Sequence, residues 1–375
     1  MGRWWRRGSE ILCAEKWRSS ETTHSRHGFE SVSLWRAVSI HIMNFESKSR
    51  TIEISKGADP TTLAWDGDVL VDVATARRFG LDGSVSDADF YTPYKFDRGI
   101  CFRDGNNLWS VAYANRGTKA VLFKDGREHR ELNRSYYFAE AYDYPIALAR
   151  VDARVVLFHC PTAYDIVELE DAESGKILWS KKTKGMEFHS RLAISDSGKF
   201  LLSAGWFWHP LGGAWLSRIG LGTQLESSEE VRFSFGAEID GAAFLDDDHV
   251  VISSTNEVID AEDGFTGSRI GPRRLGVWSI SEGRWVSNVP MTSVTGSIMP
   301  WRDLVISFYE HPKAIELATG RIVQTWFEID SGHQIGSIQL GDPPQPISAF
   351  NQRLGMFAVA EKRKIHIVSL YGANW

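Results

Sequence analysis

The sequence predicts an all-β chain folded as a single β-propeller of about seven four-stranded blades, the ring closed by N- and C-terminal strands. Three observations predict it. One turn recurs: Asp171-Ala172-Glu173-Ser174-Gly175-Lys176 leads to Trp179, Glu316-Leu317-Ala318-Thr319-Gly320-Arg321 leads to Trp326, and a shorter Ser281-Glu282-Gly283-Arg284 leads to Trp285. One hairpin chemistry repeated along a chain marks a repeat architecture. The chain also holds 15 Trp and 33 Gly in 375 residues, and these two types recur together where aromatics pack between small sheets and glycines turn the hairpins. Finally, from residue 50 onward short runs of Val, Ile, Phe, Tyr and Trp alternate with Asp-Gly, Ser-Gly and Asn turns, the pattern of strands and tight hairpins.

The elements follow in order. Residues 1–42 differ from the rest, with seven Arg/Lys, four Asp/Glu and four of the Trp (Trp4, Trp5, Trp17, Trp35). They lack the smooth apolar stretch and small-residue cleavage site of a secretory signal. A natural start at Met43 is expected, which makes 1–42 a non-native or disordered extension; the alternative is a basic, aromatic arm that binds a partner. Residues 43–375 are expected to form the propeller. Arg50–Ser55 is a lone strand ahead of the first unit, and residues 364–369 form the last one. An open ring would expose two blade edges, so these two strands are predicted to share a blade.

Between them the shared order of strands and turns parses into units near 60–88, 91–131, 134–182, 188–228, 232–290, 293–331 and 333–370. Most run to about 40 residues, the length of a propeller blade. The turns that punctuate them include Trp65-Asp66-Gly67-Asp68, Leu81-Asp82-Gly83-Ser84, Arg103-Asp104-Gly105-Asn106, Lys124-Asp125-Gly126-Arg127 and Ser195-Asp196-Ser197-Gly198-Lys199. The long unit 232–290 holds a Gly-rich, charged stretch at Asp260–Arg274 that reads as an inserted loop. A short helix is expected only near Glu226–Arg232.

The run His189-Ser190-Arg191-Leu192-Ala193-Ile194-Ser195-Asp196-Ser197-Gly198-Lys199-Phe200-Leu201-Leu202-Ser203-Ala204-Gly205 resembles the first two strands of a WD40 blade, in which a His precedes the inner strand and a Ser-x-Asp-Gly-Lys-like hairpin follows. The Trp-Asp pair that names that family is missing from the expected blade ends; Trp65-Asp66 sits in a turn instead. The Asp171…Trp179 turn resembles the tryptophan-docking turn of quinoprotein-type propellers. Gly205-Trp206-Phe207-Trp208-His209-Pro210 is similar to a stretch of uncharacterised bacterial WD40-like proteins. These resemblances imply a propeller superfamily across residues 60–370, and no particular reaction.

Composition narrows the functions. A net charge of −6 argues against general nucleic-acid binding, which favours a basic surface. No apolar run is long enough to span a membrane. Three cysteines, Cys13, Cys101 and Cys160, without CxxC spacing point to a reducing, cytoplasmic setting. No cofactor and no metal is expected, and an enzyme is less expected than a binding protein. His159 and Cys160 are neighbours on a strand, so their side chains point to opposite faces and make no catalytic pair. Asp246-Asp247-Asp248-His249 reads as a turn, since it lacks the alternating oxygens and Gly of a calcium loop. There is no phosphate-binding glycine loop, GxSxG or HExxH.

The candidate binding residues are Trp206, Trp208, His209 and Trp215, the densest aromatic patch and a candidate partner anchor, followed by Asp263, Arg273 and Arg274 in the inserted loop. A structural role for the Trp residues, capping gaps between blades, is the competing reading. The leading function is a non-catalytic protein–protein interaction scaffold binding another protein through propeller-face loops. A bacterial toxin-neutralising, immunity-type protein is one alternative. An enzyme or small-molecule binder using the central channel is the other.

Overall fold

The computed structural model describes residues 45–89, 92–183, 187–208, 211–220, 230–233, 236–259, 269–338 and 345–372. Residues 1–42, with the expected start at Met43, lie outside them. Among the described residues there is no helix; every regular element is a strand.

Seven antiparallel sheets follow one another along the chain. A first strand, β1 (Phe45–Glu53), stands ahead of them. Blade one is β2 (Ala64–Asp66), β3 (Val69–Asp72) and β4 (Arg77–Phe79), with a bridge from Phe79 to Val85 in place of a full fourth strand. Blade two is β5 (Arg98–Asp104), β6 (Asn107–Tyr113), β7 (Lys119–Lys124) and β8 (Arg127–Asn133). Blade three is β9 (Ile146–Val151), β10 (Arg154–His159), β11 (Ile166–Asp171) and β12 (Ile177–Lys182). Blade four is β13 (Glu187–Phe188), β14 (Leu192–Ile194), β15 (Phe200–Phe207), β16 (Leu211–Arg218) and β17 (Glu230–Arg232). Blade five is β18 (Ile239–Phe244), β19 (His249–Ser254), β20 (Arg274–Ser279) and β21 (Arg284–Pro290). Blade six is β22 (Ile298–Trp301), β23 (Leu304–Ser307), β24 (Lys313–Glu316) and β25 (Ile322–Thr325), and blade seven is β26 (Ile347–Asn351), β27 (Met356–Glu361) and β28 (Lys364–Gly372).

β1 completes blade seven. It pairs with β28 in continuous antiparallel register from Phe45↔Gly372 to Glu53↔Lys364, longer than the predicted Arg50–Ser55. Inner strands of neighbouring blades touch, β2 of blade one against β26 of blade seven among them.

The core lies in the gaps between blades. Seven apolar clusters fill seven gaps; Ala147, Ala149, Val156 and Phe158 of blade three, for instance, meet Leu192 and Leu201 of blade four. Middle strands are covered on both faces and therefore read as unbroken apolar runs, as in Val155-Val156-Leu157-Phe158, all buried. Fourth strands carry the exposed positions, as in β12. The recurring turn is part of this packing: Asp171 Oδ1 accepts from the Ser174 amide at 2.8 Å and hydroxyl at 2.7 Å, and Trp179 packs on the cluster between blades three and four. Trp326 is 2% exposed in the gap between blades six and seven.

Two local expectations are corrected. The expected helix near Glu226–Arg232 is replaced at its described end by strand β17, which pairs with β16; a blade edge needing a fourth strand overrides a weak local propensity. Trp65 and Asp66 end strand β2 rather than forming the turn, which begins at Gly67. Asp66 is held there by Arg78 at 2.7 Å and Arg103 at 2.6 Å.

Candidate functional site

All inner strands begin at one mouth of the central channel, so the loops between blades gather on that face. The inner strand of blade four breaks between β13 and β14, where five residues, Phe188 to Leu192, face four of β15, Trp206 to Ser203. This bulge bends the inner strand and places Arg191 at a left-handed φ of 39°, a conformation that costs a non-glycine residue of order 1–3 kcal/mol.

Above the break the sheet is aromatic. Phe188 stacks on Trp206 at 3.9 Å between centroids and on Tyr164 at 4.0 Å. Tyr137 lies over Tyr164 at 5.1 Å, and Tyr142 meets Phe188 edge-on at 5.5 Å. Each such pair contributes about 0.5–1.5 kcal/mol beyond its burial. Gly205 makes the close approach possible: a Cβ there would lie 2.0 Å from the Phe188 carbonyl oxygen and 2.8 Å from the Trp215 ring.

The stack ends in solvent. Tyr136 is 80% exposed, Tyr137 49%, Phe138 38% and Trp208 36%. Phe138 meets Trp208 edge-on at 5.0 Å and holds a φ of 53°, an outlier for so bulky a side chain.

Arg134 fixes this loop. It is 1% exposed, and its guanidinium donates to the carbonyls of Gly117 (2.7 Å), Tyr142 (3.0 Å), Asn115 and Asp143 (3.3 Å each) and Ala139. It sits over the rings of Tyr142 and Tyr144 at 4.5 and 4.9 Å. Burial pulls its pKa below the usual guanidinium value. A buried cation satisfied by backbone carbonyls ties the turn at 115–117 to the loop at 139–143 and leaves Tyr136–Phe138 as a rigid tip.

Asp143 joins that loop to the channel. Its Oδ1 accepts from Asn115 Nδ2 at 2.6 Å; its Oδ2 accepts from Arg191 Nε at 2.6 Å and Gln334 Nε2 at 2.7 Å. Gln334 belongs to a strap, residues 331–338, that leaves blade six at Gly332, which accepts from the Glu310 amide. The strap passes Gly296, where a Cβ would lie 2.6 Å from the Gln334 carbonyl oxygen. It reaches blade three through an Asp143 N–H to Ser337 carbonyl bond of 3.0 Å and a Tyr142–Ile338 bridge. Beneath it a cavity of about 440 Å3 follows the channel, lined by residues of all seven inner strands.

Blades three and four share a partly buried charge cluster. Glu187 pairs with Arg232 at 2.7 Å, Arg232 with Glu230 at 2.8 Å, and Glu230 with Lys181 at 2.8 Å. Burial pushes Glu187 up to about 7, against the pull of Arg232 and the Trp215 N–H it accepts. Burial pulls His189, bonded to Ser203 Oγ at 3.1 Å, down to about 4.

The predicted patch thus divides. Trp206 and Trp215 are each 3% exposed and structural in position, while Trp208 reaches the surface. Arg273 and Arg274 stand at the start of β20, one blade further round on the same face. His209 and Asp263 lie outside the described residues. Sequence reasoning missed Arg134, Tyr136, Tyr137, Phe138 and Asp143; three consecutive aromatics between two blade units were the available signal. Elsewhere, Asp246 caps the amides of Asp248 and His249 at 2.8 Å each, as a turn residue does. His159 pairs with Glu170 at 2.9 Å while Cys160 packs in the gap towards blade four.

Seven blades, each built from its inner strand outwards, and a closing strand from the N-terminal side define a seven-bladed β-propeller. Among solved structures, a chain of the mitotic checkpoint complex is similar over 96% of this chain and 99% of its own, with a TM-score of 0.52 and 12% identity. The Pan2 WD40 domain of Neurospora crassa gives a TM-score of 0.47 at 10% identity, covering 85% of this chain and 91% of that one. The computationally designed Ika8 protein gives 0.47 at 15%, covering 85% and 98%. At such identities the likeness concerns the fold alone. No family model matches the chain, and no curated protein matches it in sequence.

Proposed function

We propose that this protein is a non-catalytic interaction scaffold whose protein partner seats on the channel-mouth face over Tyr136, Tyr137, Phe138 and Trp208. One observation carries the reading: four adjacent aromatic side chains stand between 36% and 80% exposed on a base that is buried and stacked. Single exposed apolar residues are ordinary, whereas a contiguous aromatic patch on a rigid support marks an interaction site. Arg134 holds the loop in its presented conformation, so the partner meets a surface already ordered and little entropy is lost on binding. The reading includes a cytoplasmic, reducing setting, with which the free thiols of Cys101 and Cys160 accord. The similar propeller of the mitotic checkpoint complex is likewise part of an assembly.

The test is co-purification from the native cell with wild type and with the Tyr136→Ala/Tyr137→Ala protein. A stoichiometric partner held by the wild type and lost by a variant that still unfolds in one cooperative transition supports the scaffold. A partner retained by the variant places binding elsewhere.

A further inference from the structure

We propose that the central channel binds a small organic anion with an apolar body, its anionic group set against Arg191 and Tyr144 under the 331–338 strap. This goes beyond the scaffold reading and concerns a different surface.

The polar atoms of the cavity wall point to this ligand chemistry. Three buried polar atoms there have no hydrogen-bond partner: Arg191 Nη2, the Tyr144 hydroxyl and Ser331 Oγ. Each can donate, and a buried donor left unpaired is costly, so such atoms are rare in a folded chain. Tyr144 is 2% exposed, which leaves the cavity as the place where its hydroxyl can find an acceptor.

The charges agree. Among the described residues, Arg98, Arg191 and Asp143 are the charged groups of the wall, a net positive lining in a chain of net charge −6. Asp143 does not favour a cation, because Asn115, Arg191 and Gln334 already occupy both its oxygens. It grips Arg191 through Nε, which orients the guanidinium and leaves Nη2 free, as a pre-positioned anion clamp requires. The bulge at Arg191 makes this possible, since its left-handed φ turns the chain where a regular strand would run straight on.

The rest of the wall is apolar. Ile100, Ile146, Ile298 and the stacked pair Phe308–Phe350, 4.1 Å between centroids, line the channel below the arginines. A charged head at the strap end and an apolar body along the axis match that division, the usual make-up of a small-molecule site.

The experiment is isothermal titration with three probes of one chain length: decanoate, decanol and decylamine. Decanoate is expected to bind with one site per chain, at least about tenfold more tightly than the other two. Arg191→Gln should weaken it at least about tenfold. Because Arg191 also holds Asp143, Tyr144→Phe is the second variant: it keeps the ring, removes the unpaired hydroxyl, leaves or raises the melting temperature without ligand, and weakens decanoate severalfold. The Tyr136→Ala/Tyr137→Ala protein should bind decanoate like the wild type. The proposal is overturned by absence of decanoate binding, by equal affinity for the three probes, by indifference to both Arg191→Gln and Tyr144→Phe, or by loss of binding in the Tyr136/Tyr137 variant.

Discussion

Between blades six and seven, Trp326 and Phe308 meet Phe357 edge-on at 5.3 and 5.2 Å, and all three are at most 5% exposed. Over blades three and four the same ring chemistry starts as deeply, at Phe188 and Trp206, and then continues into solvent at Tyr137, Phe138 and Trp208. In the gap these rings sit among apolar side chains of regular strands. The mouth has a buried arginine bonded to carbonyls, left-handed non-glycine residues at Phe138 and Arg191, and unpaired donors. A fold that needed only to stand would be built like the gap throughout. Buried unpaired donors occur elsewhere too, as at Trp278 and Trp285, but at the mouth they coincide with a buried cation and left-handed residues, the pattern expected when binding is what they serve.

The comparison can be broken most severely on the structural side. Deleting residues 45–53 strips β28 of its partner and opens the ring. The expected loss is about 5 kcal/mol or more, lowering Tm by at least about 6 °C in a chain of this size; circular dichroism on heating checks it, and an unchanged Tm would mean that closure is not structural.

Next comes Phe357→Ala. Its ring is fully buried, so truncation should cost about 3–5 kcal/mol, read as a lowered urea midpoint at unchanged slope.

The charge cluster gives an intermediate effect with a definite sign. The folded-state pKa of Glu187 is raised to about 7, so its contribution is fully present below its ordinary value near 4.5 and lost as pH rises through 7. His189 is depressed to about 4, so its contribution is present above 6.5 and lost as pH falls towards 4, on the order of 3 kcal/mol. The two slopes oppose each other in the wild type. Glu187→Gln should leave the histidine's alone, and stability should fall more steeply between pH 7 and 4.5 than in the wild type. Parallel pH–Tm curves for the two proteins would disprove this.

The smallest effect sharpens the contrast. Tyr136→Ala/Tyr137→Ala should cost about 1–2 kcal/mol through the ring pairs of Tyr137 with Tyr164 and Phe188, while removing the partner.

Much of the ring was legible because its chemistry is local. The glycines of the predicted turns, Gly67, Gly83, Gly105, Gly126 and Gly198, all adopt φ between 58° and 90°, a need that a few adjacent residues announce. The site was less legible because its decisive facts are not local. Trp206 and Trp208 lie two residues apart, and a strand's alternation would treat them alike. Their exposures differ because β15 ends at Phe207, so that Trp206 lies within the paired strand and Trp208 beyond it. Arg134 bonds to backbone carbonyls, which every residue possesses, so no pattern of residue types reveals it. Gln334 and Asp143 are 191 residues apart, and only the closed ring brings them together.

The closing strand has a consequence in time. Thr51 and His366, paired across β1 and β28, are 315 residues apart in sequence. At a synthesis rate of about 5–20 residues per second, β1 waits roughly 15–60 s for its partner to be made. During that interval it is an unpaired strand in a chain whose other blades are already forming, and the ring cannot shut before β28 has left the ribosome. The same nine residue pairs that remove the ring's edges in the finished protein therefore make the nascent one dependent, for the better part of a minute, on being shielded from other chains.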